Sequence, residues 1–206
     1  MGLRRRGLRP AARIPLMPRD AMPTSLQTLP ARDDEGRWLA VVEATRGTRN
    51  KLKYRAAWRA FVLASALPQG MVFPYDFGFV PSTLGDDGDP LDVLVLADAP
   101  LPVGAVVPCR LVGVIEAEQQ EPRRKPERND RLIAVAQASH RHRHVHTLRD
   151  VSTDLLDEIE SFFVDYNRLR GRRFTPLGRR GPTVARALLR TGERRQLEHA
   201  RRERVG

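Results

Sequence analysis

The stretch that most constrains this chain is Leu84-Gly85-Asp86-Asp87-Gly88-Asp89-Pro90-Leu91-Asp92, followed by the apolar run Val93-Leu94-Val95-Leu96. Asp86, Asp87, Asp89 and Asp92 place four carboxylates within seven residues. Like charges at that density repel, and an ordinary loop gains nothing by holding them together. A hard divalent cation resolves the conflict. Mg²⁺ takes oxygen from one or two carboxylates and completes its octahedron with water and phosphate oxygens. Gly88 permits a turn that a Cβ would hinder, and Pro90 fixes φ near about −65°. The β-rich run anchors the cluster at the head of a rigid strand. The competing reading is a solvated Asp-Gly turn before a strand. A calcium loop of the helix-loop-helix type fits poorly, because no Glu stands at its twelfth position and a strand replaces the exit helix.

The rest of the pattern predicts a fold around that loop. Residues 38–43 read as a short apolar strand ending in Glu43, and 46–51 as a basic turn. Residues 52–63 read as one or two short strands, and the aromatic stretch 70–80 as a strand wrapped by loops. Pro102-Val103-Gly104 is a turn, and 106–115 is a long β-rich run in which Gly113 suggests a bulge. A polar loop covers 119–128, and 131–136 is a further strand. Short strands at this spacing, without helices between them, predict a small antiparallel barrel. Helices are expected only at the end. Ser152 or Thr153 caps a helix carrying Leu155, Leu156, Ile159, Phe162, Phe163, Tyr166 and Leu169 at helical spacing. Gly171 stands where that helix should stop, and a second helix starts near Pro182. The expected class is α+β, mainly β: an OB-like five-stranded barrel with flanking C-terminal helices.

A chain of 206 residues with 41 % hydrophobic content can bury one real core. The expected organisation is a disordered basic extension over 1–36, a barrel domain over 37–192, and a basic tail or helix end over 193–206. The formal charge of +11 is concentrated at the ends. The Arg-rich, Pro-interrupted N-terminus reads either as an organellar transit segment or as chain upstream of a true start at Met17 or Met22. Such ends attract anionic surfaces non-specifically, but no aromatics are interleaved for base stacking, so no further nucleic-acid contact is expected. Cys109 is the one cysteine, which excludes an intrachain disulfide and suits the cytoplasm; its apolar surroundings read as packing. No run approaches the ~18 apolar residues of a spanning helix, so no membrane partner is expected.

These residues carry a resemblance. Asp87-Gly88-Asp89-Pro90-Leu91-Asp92-Val93 matches every position of the signature D-[SGDN]-D-[PE]-[LIVMF]-D-[LIVMGAC] of the soluble family I inorganic pyrophosphatases. The flanks agree in order: Glu43 before Arg46-Gly47-Thr48-Arg49-Asn50-Lys51, Phe73-Pro74-Tyr75-Asp76-Phe77-Gly78-Phe79, Asn129-Asp130-Arg131, and Phe162-Phe163 with Tyr166. The resemblance spans roughly residues 39–189. It implies hydrolysis of pyrophosphate to two phosphates with two or more Mg²⁺ ions in a homo-oligomer. By resemblance, Asp87 and Asp92 are metal ligands and Asp89 is the base for the attacking water. Lys51 and Arg131 clamp phosphate, Tyr166 donates to the distal phosphate, and Glu43 fixes a water or cation behind the ligands. The general chemistry agrees, since a charged phosphoanhydride needs metal-held carboxylates, cations for its oxygens and one base.

The chain also departs from the pattern. Ser65 stands where the family has a phosphate-binding Arg, Phe77 where it has Tyr, Asn167 where Lys follows the helix Tyr, and Lys53 where it has an acid. Its further pair of metal-binding Asp residues aligns with Asn129, beside Asp130, and near Gln119, flanked by Glu118 and Glu121. If compensated, Glu118 or Glu121 and Asp130 complete the metal site, Arg55, Arg59 or Arg128 replaces the guanidinium, and Asn167 donates to substrate. If not, the protein is a weakened catalyst or binds another phosphate compound. A nucleic-acid-binding OB barrel is the alternative from another class. The alternating His140, His142, His144 and His146 would share one face of a strand and could bind a transition metal; a solvated loop is the reading preferred here.

Overall fold

A computed structural model describes residues 25–203. The alternating and continuous apolar runs become β1 (Trp38–Ala44), β2 (Asn50–Arg55), β3 (Ala60–Ala66), β4 (Asp76–Phe79), β5 (Asp92–Leu96), β6 (Val106–Gln120), β7 (Glu127–Arg128) and β8 (Arg131–Ala136). Helix α1 (Thr153–Arg168), strand β9 (Arg173–Arg180) and helix α2 (Pro182–Glu203) follow. β1, β4, β5, β8 and β6 pair in succession, and β6 pairs β1 again, so the expected five strands are present. The closure is irregular. β6 also carries β7 and β9, and its register breaks between Leu111 and Gly113, where the bulge was expected, and between Glu116 and Ala117. β5 and β8 run parallel, which corrects the all-antiparallel expectation: β6 and β7 intervene in the chain between them.

β5 and β8 read as unbroken apolar runs because both of their faces are covered. Val93, Val95, Leu132 and Ala134 pack with Ala185 and Leu189 of α2. Leu94, Leu96, Ile133 and Val135 pack with Leu156, Ile159 and Phe163 of α1. α1 starts where its cap predicts, since Ser152 accepts the Leu155 N–H at 3.2 Å, and the chain turns at Gly171 with φ of 70°. β9 was not expected, since Pro176, Gly178 and three arginines disguise it; it lies along β6. The hairpin of β2 and β3 forms a separate two-stranded sheet.

The expectation of disorder through residue 36 fails for residues 25–36. Leu26–Thr28 forms a 3-10 turn capped by Ser25, and the Ala31 side chain is buried. The Ala31 carbonyl accepts the Leu39 N–H at 2.9 Å, and the Arg32 guanidinium lies 4.0 Å over the Trp38 ring while pairing with Glu193 at 2.8 Å. Residues 1–24, including the candidate starts Met17 and Met22, lie outside the described residues. At the other end α2 carries the chain as helix to Glu203. The four alternating histidines lie in turns, not on a strand; Asp98 receives Ser139 Oγ and the N–H groups of His140 and Arg141 there, which holds its carboxyl down at about 2. Among the described residues no helix is long and apolar enough to cross a membrane.

Candidate active site

The acidic loop joins β4 to β5 and is tied from both sides. Thr83 donates its hydroxyl to the Val80 carbonyl at 2.6 Å and accepts the Leu91 N–H at 3.0 Å. Within the loop the Gly85 N–H reaches the Asp89 carbonyl at 2.8 Å, and Gly88 turns the chain at φ of 80°. Helix α2 supports the outer side. Its Gly192 carbonyl accepts the Leu84 N–H at 3.1 Å, and Leu91 lies so close that a Cβ at position 192 would stand 2.7 Å from Leu91 Cδ1. Arg195 pairs with Asp86 at 2.5 Å, which draws that carboxylate to the helix. Asp87, Asp89 and Asp92 are left to line a cavity of about 340 Å³.

The remaining walls come from distant parts of the chain. β1 supplies Glu43, β2 supplies Lys51 and Lys53, and the entry to β8 supplies Asn129 and Arg131. α1 supplies Tyr166 and Asn167, and the turn after it Arg170 and Arg172. The end of β6 and the following loop add Gln119, Glu121, Arg124 and Lys125. The structure thus assembles Glu43, Lys51, Asp87, Asp89, Asp92, Asn129, Arg131, Tyr166 and Asn167, all expected at a site, around one space.

It does not bring Glu118 there, and Asp130 lines instead a small adjoining cleft with Asp86, Asp87 and Asp92. Strand periodicity gives the reason: positions 119, 127, 129 and 131 face the cavity, while 116, 128 and 130 meet on the opposite side. Asp130 is buried, accepts the Ala117 N–H at 2.9 Å and pairs with Arg128 at 2.9 Å; Arg128 also pairs with Glu116 at 3.3 Å. Gln119 and Glu121 take the cavity position assigned to Glu118. Gln119 accepts from Asn129 Nδ2 at 3.3 Å, and Glu121 pairs with Arg172 at 2.7 Å.

The charges in the cavity are tightly coupled. Glu43 is buried and accepts the Tyr54 N–H at 2.9 Å; burial pushes its carboxyl up to about 7. Burial also raises Asp87, although the Asp89 N–H donates to its Oδ1 at 3.1 Å. Lys53 Nζ bonds both oxygens of Asp89, at 2.6 and 2.7 Å. Arg131, only 3 % exposed, pairs with Asp92 at 2.7 Å and is stacked between Phe163 and Phe174, at 4.8 and 5.2 Å. Lys51 Nζ lies 5.0 Å over the Phe77 ring and 5.8 Å over the Tyr166 ring, so Phe77 keeps the role of the ring without a hydroxyl.

Two expectations about compensation change. Arg55 and Arg59 line a neighbouring cleft, and Arg128 serves Asp130, so none of the three replaces the guanidinium absent at Ser65. Arg170 reaches that place instead: its Nη1 donates to Ser65 Oγ at 2.6 Å from the turn between α1 and β9. Asn167 lines the cavity but spends one of its two Nδ2 hydrogens on the Phe163 carbonyl of its own helix at 2.8 Å. Arg170 and Arg172 escaped notice because β9, whose pairing turns them inward, was not legible. The basic run Arg168-Leu169-Arg170-Gly171-Arg172-Arg173 behind the helix Tyr was the available signal.

Among the described residues no three His, Cys, Asp or Glu side chains stand in a closed metal-binding set. The donor chemistry fits an open site for a hard cation. Mg²⁺ needs only one or two carboxylates when water and phosphate fill its other positions, and the raised Asp87 is an all-oxygen donor without an ion-pair partner among the described residues.

The chain is similar to known proteins over most of its length. Residues 40–196 match the family model described as inorganic pyrophosphatase. The chain is 37 % identical over 144 residues to the inorganic pyrophosphatase of Nostoc sp., covering 70 % of this chain and 82 % of that protein. It is 35 % identical over 150 residues to that of Thermus thermophilus, covering 72 % and 83 %. The crystal structure of the Thermus thermophilus inorganic pyrophosphatase superposes with a TM-score of 0.77 at 34 % identity, over 84 % of this chain and 98 % of that one. The fold expectation, OB-like and mainly β, holds in that superposition.

Proposed function

The chain belongs to the inorganic pyrophosphatase family, and on that premise we propose that the cavity hydrolyses pyrophosphate to two phosphates with Mg²⁺. The carrying observation is that Asp87, Asp89 and Asp92 share one cavity with Lys51, Arg131 and Arg170. Asp87 and Asp89, with Asp92 behind them, are the residues that would hold Mg²⁺; Asn129 and Glu121 stand across the same space. Bound there, Mg²⁺ neutralises phosphoryl oxygens and acidifies a water.

The chain's own groups do the rest. Lys51, Arg170 and the Tyr166 hydroxyl converge on the cavity, where they take the phosphoryl oxygens and orient the anhydride. Asp89, 51 % exposed at its side chain, accepts the proton of the attacking water once Lys53 releases it. Arg131 lines the cavity as a phosphate clamp, while its Nη1 fixes Asp92 and meets the Asn129 and Asp130 carbonyls. Glu43 stands behind Lys51 and Lys53 as the buried carboxyl. The nucleic-acid reading is not favoured, because the cavity presents carboxylates. The single buried Cys109 suits a reducing compartment such as the cytoplasm, and the exposed Leu177 and Val184, where β9 meets α2, suit a homo-oligomer.

The test is phosphate release from pyrophosphate by the purified chain with Mg²⁺. Wild type releases phosphate and Asp89→Asn does not. Equal inertness of both with Mg²⁺, Mn²⁺ and Zn²⁺ overturns the reading.

A further inference from the structure

We propose that Lys53 is a resident counterion of the acidic loop, which competes with a divalent cation for Asp89 in the substrate-free protein. The inference rests on the metal-dependent reading above and adds to it an internal rival for the metal.

Three loop carboxylates have a cation of their own. Arg195 holds Asp86 at 2.5 Å from outside the cavity, Arg131 holds Asp92 at 2.7 Å beneath it, and Lys53 holds Asp89 inside it. The first two are guanidiniums anchored on a helix and in a stacked, buried pocket. Lys53 differs. Its ammonium is a compact point charge on a flexible stem, its side chain is 34 % exposed, and it bonds both Asp89 oxygens. An ammonium on both oxygens takes two of the carboxylate's roughly four acceptor sites, and its charge repels a metal ion from the rest. Such a pair is also weak enough to exchange, because half-exposed ion pairs contribute little. Asp87 is the loop carboxylate facing the cavity without an ion-pair partner among the described residues, so it is the first oxygen donor open to an incoming ion. Asp89 becomes a second only when Lys53 lets go. Position sets this arrangement: Lys51 and Lys53 lie two apart on β2 and line the same wall, with buried Glu43 against that wall. Glu43 offers the released ammonium a second carboxyl nearby.

The experiment reads the metal and the lysine, not turnover. The full chain is titrated with Mg²⁺ alone by calorimetry as wild type, Lys53→Met and Lys53→Arg. In parallel, wild-type lysines are reductively methylated with and without Mg²⁺, at ionic strength matched with NaCl so that screening is equal. Lys53→Met binds Mg²⁺ roughly two- to fivefold more tightly, the range set by a half-exposed pair, and Lys53→Arg stays near wild type. Methylation of Lys53 rises on adding Mg²⁺, while Lys51 and Lys125 change little. Unchanged Lys53 labelling, or Mg²⁺ affinity in Lys53→Met no higher than wild type, overturns the proposal. Because the labelling is done on wild type, it decides even if the variants fold poorly. A wild type that hydrolyses pyrophosphate while failing these tests loses the counterion alone; a wild type that neither hydrolyses it nor binds Mg²⁺ loses both readings.

Discussion

Arg170 donates from Nη1 to Ser65 Oγ at 2.6 Å, so a guanidinium absent from β3 is delivered to the same place by the turn after α1. Arg170 also lies 5.2 Å over the Tyr166 ring, which directs it along the cavity wall. Loss of a preorganised donor commonly costs a hundred- to thousandfold in rate. Arg170 is solvent-exposed, so Arg170→Ala should lower kcat/KM for pyrophosphate by about tenfold to a hundredfold. Adding Ser65→Arg to that variant should recover part of the loss by restoring the charge from β3. Steady-state phosphate release in the single and double variants checks this, and a double variant no better than Arg170→Ala removes the equivalence.

Arg131→Lys should be far from conservative. The guanidinium stacks between Phe163 and Phe174 and reaches Asp92 and two backbone carbonyls from one nitrogen. An ammonium keeps the charge but loses the plane and the fork. A cost of about 1–2 kcal/mol in urea unfolding is expected, with a fall in activity because Asp92 is no longer held. An unchanged unfolding midpoint would show that stacking contributes nothing there.

Legibility followed strand geometry. The acidic loop, the β5 and β8 runs, the Gly113 bulge and the α1 cap were readable because each depends on local spacing or local chemistry. Lys51, Asp87, Asp89 and Asp92 were readable for the same reason. Glu118 and Asp130 fall outside the main cavity, as their alternation implies, although Asp130 stays beside Asp87 and Asp92 in the adjoining cleft. Once Arg131 faces the cavity, Asn129 must face it too and Asp130 cannot. Ala31 and Leu26 belong to tertiary structure that a short Pro-broken stretch does not announce. Arg170 depends on β9 pairing with β6, a long-range fact hidden by Pro176 and Gly178.

Gly78→Ala should be the most damaging small change in the sheet. A Cβ at that position would stand 1.8 Å from the Val41 carbonyl oxygen, where β4 crosses β1, and both elements are backbone-paired and fixed. Forcing them apart is expected to cost about 3 kcal/mol or more. Urea denaturation of metal-free protein gives the number, and a loss below about 1 kcal/mol would mean that β1 and β4 separate more easily than their pairing implies.

The stability of the metal-free protein should fall with rising pH through the Glu43 titration. Burial holds the Glu43 carboxyl at about 7 against an ordinary 4.5. Between those values the folded chain carries the proton and the unfolded chain has lost it, so each rise in pH favours unfolding. The penalty is absent below 4.5, grows through the window and is complete above 7, at about 3 kcal/mol. Glu43→Gln keeps an oxygen for the Tyr54 N–H, which Glu43 accepts at 2.9 Å, and cannot ionise. Wild type and variant should therefore melt together near pH 4.5, with the variant ahead by several degrees at pH 8. Differential scanning calorimetry from acid to mildly basic pH in chelator decides it. A gap that stays constant across the range would mean that Glu43 is already ionised where the fold is most stable, its charge shared with Lys51 and Lys53 across the cavity wall.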